Sequence, residues 1–104
     1  MNGSMSIHVT EQAAAWYKKE LGLKDGDSIR LFARYSSGGG LHPGFSLGIS
    51  VESPQRPVFE NTAGGLTFYM EDQDSWYLKG HRVEVNYLQE HDDIVYNYAE
   101  ESEG

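Results

Sequence analysis

The chain contains no cysteine among its 104 residues, and only 8 basic side chains against 16 acidic ones, a formal net charge of −8. Without cysteine, the protein can form neither a disulfide nor a thiolate nucleophile nor a thiolate metal site. The shortage of lysine and arginine argues against nucleic acid as a partner, because such binding neutralises phosphates with basic groups. The same charge disfavours the anionic surface of a membrane. We therefore expect neither nucleic acid nor a membrane as a partner.

Long apolar runs are missing as well. No segment approaches the roughly 18 consecutive apolar residues of a membrane-spanning helix, and no pattern typical of a secretory signal is present. These absences predict a cytoplasmic protein. Hydrophobic residues nevertheless make up 38% of the chain, and seven tyrosines, four phenylalanines and two tryptophans favour an aromatic-rich core. The length suits one domain with one core.

The composition of the two ends sets them apart from this domain. Residues 1–5, in which Met1 precedes Asn-Gly-Ser and a second methionine, are typical of a cloning remnant. Residues 100–104 form an acidic tail that we expect to be frayed. The sequence thus predicts a single domain over residues 6–99.

The periodicity of the apolar residues predicts an α+β fold. Thr10 is a candidate N-cap for an alanine-rich amphipathic helix that closes at Gly22 and buries Trp16 and Tyr17. Alternating apolar residues then indicate strands in SIRLFARY, FSLGISV, VFEN, LTFYM, RVEVNYL and IVYNYA, with a turn over residues 61–65. A second, short helix is predicted near residues 72–79, where acidic residues precede a buried Trp-Tyr-Leu. This order favours antiparallel or mixed sheets with one N-terminal helix and one short late helix.

The most unusual segment is RYSSGGGLHPG, residues 34–44, because three consecutive glycines join two predicted strands. Phosphate-binding glycine loops open a helix, so this segment does not match one. It is interpreted either as a plain hairpin connection or as a ligand-binding loop, whose candidate residues are Tyr35, Ser36, Ser37, Gly38 and His42. Only His42 among them can start a metal site, and a single imidazole makes a poor one.

The remaining reactive side chains do not form a catalytic motif. The cluster at residues 90–93, Glu-His-Asp-Asp, lacks the alternation and central glycine of a calcium loop, so we interpret it as a solvated turn. The serines lack a G-x-S-x-G elbow. The acids among residues 71–74 precede a predicted short helix, whose positive N-terminal end they would stabilise. This structural role is enough to explain their presence. We accordingly predict that the protein is not an enzyme and carries no cofactor.

Four segments of the sequence are informative when taken together: SIHVTEQAAAWYKKEL, SIRLFARYSSGGG with GFSLGIS, GGLTFYMEDQDSWYLKG, and HRVEVNY with IVYNY. They resemble the HesB-like domain family, the fold of A-type iron–sulfur carrier proteins. Each string is short, but their order and spacing carry the likeness over residues 6–98. The resemblance implies a HesB-like fold, contact with iron–sulfur assembly partners and self-association through the sheet.

The same family holds its cluster with three cysteines, one in the small-residue loop and two as Cys-Gly-Cys near the C terminus. The loop cysteine would fall near Gly38, and the chain ends in AEESEG where the pair should be. The chain therefore resembles a shorter branch without these cysteines, with RY before the loop and PGFSLG after it. The resemblance implies an accessory or binding module with a protein partner or a second copy. The alternative is a metal- or small-ligand-binding protein that uses His42 and its neighbours in the loop.

Overall fold

The computed structural model describes residues 6–37 and 41–100. In chain order, the elements are β1 (Ile7–Val9), α1 (Glu11–Glu20), β2 (Ser28–Tyr35), β3 (Phe45–Val51), β4 (Pro57–Ala63), β5 (Leu66–Glu71), a 3₁₀ helix (Asp72–Leu78), β6 (His81–Leu88) and β7 (Asp93–Glu100). The predicted α+β class is confirmed. Residues 1–5 and 101–104, which carry the predicted cloning remnant and most of the predicted tail, lie outside the described residues.

Helix α1 begins where the sequence predicts. The Thr10 side chain accepts the backbone N–H of Ala13 at 3.1 Å and so satisfies one free donor of the first turn. The buried face consists of Ala13, Ala14 and Tyr17. Leu21, which shares their helical spacing, lies just past the last helical residue and is 41% exposed.

The strands form two mixed sheets. In the four-stranded sheet, ordered β3-β2-β5-β4, β2 is antiparallel to β3 and parallel to β5. In the three-stranded sheet, ordered β1-β6-β7, β1 is parallel to β6 and β6 is antiparallel to β7. The core unites both sheets with α1, and its members include Tyr17, Ile29, Leu31, Phe68, Tyr77, Val83 and Val85.

Strand β2 has two halves with different surroundings. The first half, Ser28–Leu31, pairs with β5. Every residue of this half except Ser28 also pairs with β3 on the other side. Its second half, Phe32–Tyr35, pairs with β3 and extends past the end of the β5 pairing. We call these the anchored half and the distal half. The distal half leads into the glycine loop, whose residues 38–40 lie outside the described residues.

Four details differ from the sequence prediction. The predicted turn over residues 61–65 is confined to Gly64 and Gly65, whose φ angles of +58° and +83° suit glycine. The late helix is a 3₁₀ helix that ends at Leu78. Trp76 is 45% exposed rather than buried. Glu100, assigned to the tail, is the last residue of β7 and pairs with His81. In the described ranges, no helix is long and apolar enough to cross a membrane.

Candidate functional site

Stacked rings lead from the surface of the β2–β3 hairpin towards the core. Tyr35 and Phe45 are cross-strand partners, and their ring centroids lie 4.9 Å apart. Phe45 meets Trp76 edge-on at 5.2 Å. The ring of His42 lies 5.5 Å from that of Trp76 and 5.2 Å from that of Tyr77. We call these five residues the aromatic cluster.

The hairpin geometry brings Tyr35 and Phe45 together. Tyr35 ends β2 and Phe45 begins β3, so the antiparallel register places the two rings opposite each other. The backbone N–H of Ser36 donates to the carbonyl of Gly44 at 2.9 Å, and the N–H of Phe45 donates to the carbonyl of His42 at 3.1 Å. Gly44 has a φ of +83°, which a residue with a side chain rarely adopts. The hairpin is therefore closed by its backbone at the base of the loop.

The 3₁₀ helix supplies the other side of the cluster. The Tyr77 hydroxyl accepts the backbone N–H of Leu41 at 3.3 Å. The Nε2 of His42 lies 3.0 Å from the Tyr77 carbonyl, and since a carbonyl only accepts, this nitrogen carries the proton. His42 thus ties the loop to the helix through one ring nitrogen and two ring contacts.

The cluster changes from exposed to buried along its length. Tyr35 is 85% exposed and Trp76 is 45% exposed, whereas Tyr77 is fully buried. Tyrosine and tryptophan are enriched in protein interfaces, because they bury a large area at a small cost in side-chain entropy. The aromatic cluster is therefore a candidate protein-binding surface that rests on a buried base.

The structure brings two of the five predicted loop residues into this surface. Tyr35 and His42 belong to the cluster, Ser36 closes the loop with its backbone, and Ser37 is exposed beside it. Gly38 lies outside the described residues. Over residues 6–37 and 41–100, no group of three or more histidine, aspartate or glutamate side chains could hold a metal ion. Within those ranges, His42 is therefore not part of such a group.

Sequence reasoning missed Phe45 and Trp76 as site residues. Phe45 had a usable signal, because a hairpin that closes after Tyr35 places the first residue of the next strand opposite it. Trp76 had no such signal, since it reaches the hairpin from a helix about thirty residues further along.

A polar cleft on the other side of the 3₁₀ helix was also missed. The Arg30 Nη2 donates to Asp74 Oδ2 at 2.8 Å, and Nη1 lies 3.6 Å from Glu52 Oε2. The hydrogen bond to Asp74 is the largest cause of the raised pKa of Arg30. A cleft of about 380 Å³ opens beside this pair.

Asp72 and Asp74 lie in the first turn of the 3₁₀ helix, as the sequence predicts, and two acids of this segment have further roles. The Glu71 carboxylate accepts the backbone N–H groups of Gln55 and Arg56 at 3.0 and 2.6 Å, and so holds the β3–β4 linker. Asp74 is bound to Arg30. Since these charges are engaged with the chain itself, we interpret the cleft as part of the scaffold.

Comparison with solved structures shows the fold family. The crystal structure of IscA with the [2Fe-2S] cluster superposes with a TM-score of 0.53 at 16% identity, over 90% of this chain and 81% of that one. The predicted HesB-like fold is thereby confirmed. The residues do not fit a thiolate-held cluster, because the sequence contains no cysteine.

Comparison with known proteins shows the sequence family. The pyruvate dehydrogenase inhibitor of Bacillus subtilis is 38% identical over 94 residues, which cover 90% of this chain and 99% of that protein. An uncharacterised protein of Staphylococcus saprophyticus is 32% identical over 88% of this chain and 97% of its own length. An uncharacterised protein of Staphylococcus haemolyticus is 31% identical over 89% of this chain and 97% of its own length. No family model matches the sequence. The chain belongs to the family that includes the Bacillus subtilis pyruvate dehydrogenase inhibitor.

Proposed function

We propose that this protein is a non-catalytic binding module that inhibits a pyruvate dehydrogenase by contact, on a HesB-like frame that has lost its cluster ligands. The observation that carries the proposal is its 38% identity to the Bacillus subtilis pyruvate dehydrogenase inhibitor, across 99% of that protein. An inhibitor of this kind needs an adhesive surface rather than reactive groups. The absence of cysteine is compatible with that requirement, since no cluster has to be held or transferred.

The aromatic cluster supports a binding role. Tyr35 and Trp76 present large rings to solvent. Contact with Phe45 limits the motion of Tyr35, and contact with the buried Tyr77 limits that of Trp76. A surface that is already ordered loses less conformational entropy when a partner binds. The net charge of −8 favours a basic surface on the target and speeds the encounter.

The direct test is a titration of the purified protein into pyruvate dehydrogenase from the same organism, with the rate of pyruvate oxidation as the readout. We expect saturable inhibition that is reversed by dilution. Tyr35→Ala should raise the half-inhibitory concentration about tenfold, a loss of ~1.4 kcal/mol. The matched control is Leu88→Ala, which truncates another exposed apolar side chain on β6 and should leave inhibition unchanged.

Three outcomes would contradict the proposal in separable ways. No inhibition at a large molar excess would remove pyruvate dehydrogenase as the target. Unchanged inhibition by Tyr35→Ala would move the binding surface away from the aromatic cluster. Inhibition by far less than one equivalent, with a mass change in the enzyme, would show that the protein is a catalyst.

A further inference from the structure

A second surface lies between the two sheets, and none of its lining residues belongs to the aromatic cluster. Two hollows of about 420 and 350 Å³ meet at Ile49 and Tyr96. Together they form a groove between α1, β3 and β7, and its apolar lining includes Trp16, Leu21, Leu47, Ile49, Ile94 and Tyr96. We call this the apolar groove. Apart from Leu47 these side chains are half-buried or exposed, so the groove offers apolar area to a ligand.

The groove reaches an open strand edge. Strand β3 is outermost in its sheet, and among the described residues its strand neighbour is β2 alone. Leu47, Gly48 and Ile49 are consecutive and all line the groove. Since successive residues of a strand point to opposite faces, a hollow lined by all three borders the edge itself. The backbone of β3 is therefore open to an added strand at this point.

Two carboxylates stand at one end of the groove. Glu20 is the last residue of α1, Asp93 is the first residue of β7, and both are exposed. Arg34 lies at the opposite end. The carboxylate end attracts a cationic side chain, and the net charge of −8 on the whole chain adds to this attraction.

The walls of the groove are tied together. The indole N–H of Trp16 donates to the Asp92 carbonyl at 3.1 Å, and the Tyr87 hydroxyl donates to the Asp92 carboxylate at 2.7 Å. The hydroxyls of Tyr17 and Tyr96 share a hydrogen bond of 2.7 Å across the floor. The bonds of Trp16 and Tyr17 hold α1 against β7 and the turn before it. This side of the groove is therefore ordered before any ligand arrives, and less ordering is needed on binding.

We propose that the apolar groove binds an extended segment of a partner protein as an added strand on β3, and that one face of this segment carries aliphatic side chains with a lysine or arginine at its end. The aliphatic groups pack against Ile49 and Tyr96. The cationic residue, on the same face, meets Glu20 and Asp93, while the backbone pairs with the open edge. This binding mode goes beyond the proposed function, because it does not depend on which enzyme the partner is.

The probe is a fluorescein-labelled hexapeptide, Lys-Thr-Val-Thr-Val-Thr, which places its lysine and both valines on one face. Its anisotropy is titrated with the full chain. Ile94→Glu should weaken binding about tenfold although it adds a negative charge, since the carboxylate displaces the apolar contact. The matched control is Val58→Glu, which adds the same charge at an exposed site on β4. It should leave binding equal or slightly stronger.

A second pair of variants tests the acidic rim without touching the apolar lining. Glu20→Lys should weaken binding several-fold, whereas Glu60→Lys makes the same charge change at an exposed position of β4 and should have little effect. Peptide binding should also slow hydrogen exchange at the amides of Phe45–Val51, because an added strand covers their free edge.

Several results would overturn the proposal. One is equal affinity for the same hexapeptide with glutamate in place of its lysine. A second is a loss of peptide affinity from Val58→Glu equal to that from Ile94→Glu. A third is hydrogen exchange in β3 that the peptide does not slow. A dimer in sedimentation that Ile94→Glu dissociates would assign the groove to a second copy of this chain instead. The peptide titration is independent of the pyruvate dehydrogenase assay, so either proposal can fail while the other stands.

Discussion

The two halves of β2 are held by different forces. The anchored half pairs with strands on both sides, and its Ile29 and Leu31 are fully buried. The distal half pairs with β3, and its end is fixed by ring contacts that begin with Tyr35 on Phe45. Backbone pairing on both sides and core packing support the first half, while backbone pairing on one side and exposed aromatic contacts support the second. The candidate binding surface thus lies on the half that we expect to open more readily.

The largest effect should come from breaking the anchored half. Leu31→Ala removes a fully buried side chain from between the sheets and should lower the free energy of unfolding by about 2–5 kcal/mol. Urea denaturation measures the loss. Leu88→Ala makes the same chemical change at a site that is 40% exposed and should cost much less. Equal losses would mean that burial does not distinguish the two sites.

A smaller loss should follow when the polar support of the anchored half is cut. Asp74→Ala removes the hydrogen-bonded partner of Arg30, whose side chain is 17% exposed, and should cost about 1.5–3 kcal/mol. Asp72→Ala is the control, because that carboxylate is exposed on the same 3₁₀ helix. In a double-mutant cycle, Arg30→Met should abolish most of the effect of Asp74→Ala. Additive effects would contradict a direct coupling between the two side chains.

Loosening the distal half should cost less still. Trp76→Ala removes the ring between Phe45 and His42 and should lower stability by about 1 kcal/mol. Hydrogen exchange measures where the loss falls. We expect faster exchange in the distal half and unchanged exchange in the anchored half. Uniformly faster exchange would show that the two halves open as one unit.

The smallest change in stability should come from Tyr35→Ala. Since this side chain is 85% exposed, its truncation should change the free energy of unfolding by less than about 0.5 kcal/mol. Thermal unfolding measures this, and the same variant should lose inhibition about tenfold. A large loss of stability would mean that the Tyr35 ring supports the fold. Its effect on inhibition could then not be assigned to partner contact alone.

Local signals predicted much of the fold. Thr10 before an alanine-rich segment marked the start of α1, and alternation marked each long strand. The hairpin with Tyr35 at its end followed from two strands flanking a glycine run. These features depend on neighbours in sequence, so one chain is enough to predict them.

Contacts between distant segments could not be predicted in this way. Arg30 and Asp74 are 44 positions apart, and nothing near either residue indicates the other. Trp76 was expected in the core because isolated aromatic residues usually pack there. Its exposed position follows from the 3₁₀ helix, which buries Tyr77 and turns its neighbour outward beneath the hairpin. The candidate binding surface was therefore only partly predictable, through Tyr35 and His42.

The two tryptophans of the chain have a practical consequence for spectroscopy. Trp76 stands in the aromatic cluster, and Trp16 lines the apolar groove with its indole N–H bound to Asp92. The protein therefore carries one tryptophan at each of these two surfaces, and the sequence contains no third. Replacing either one with phenylalanine leaves a single tryptophan, whose selectively excited emission reports on the other surface. Ligand binding at each surface can thus be followed by intrinsic tryptophan fluorescence, without an attached dye.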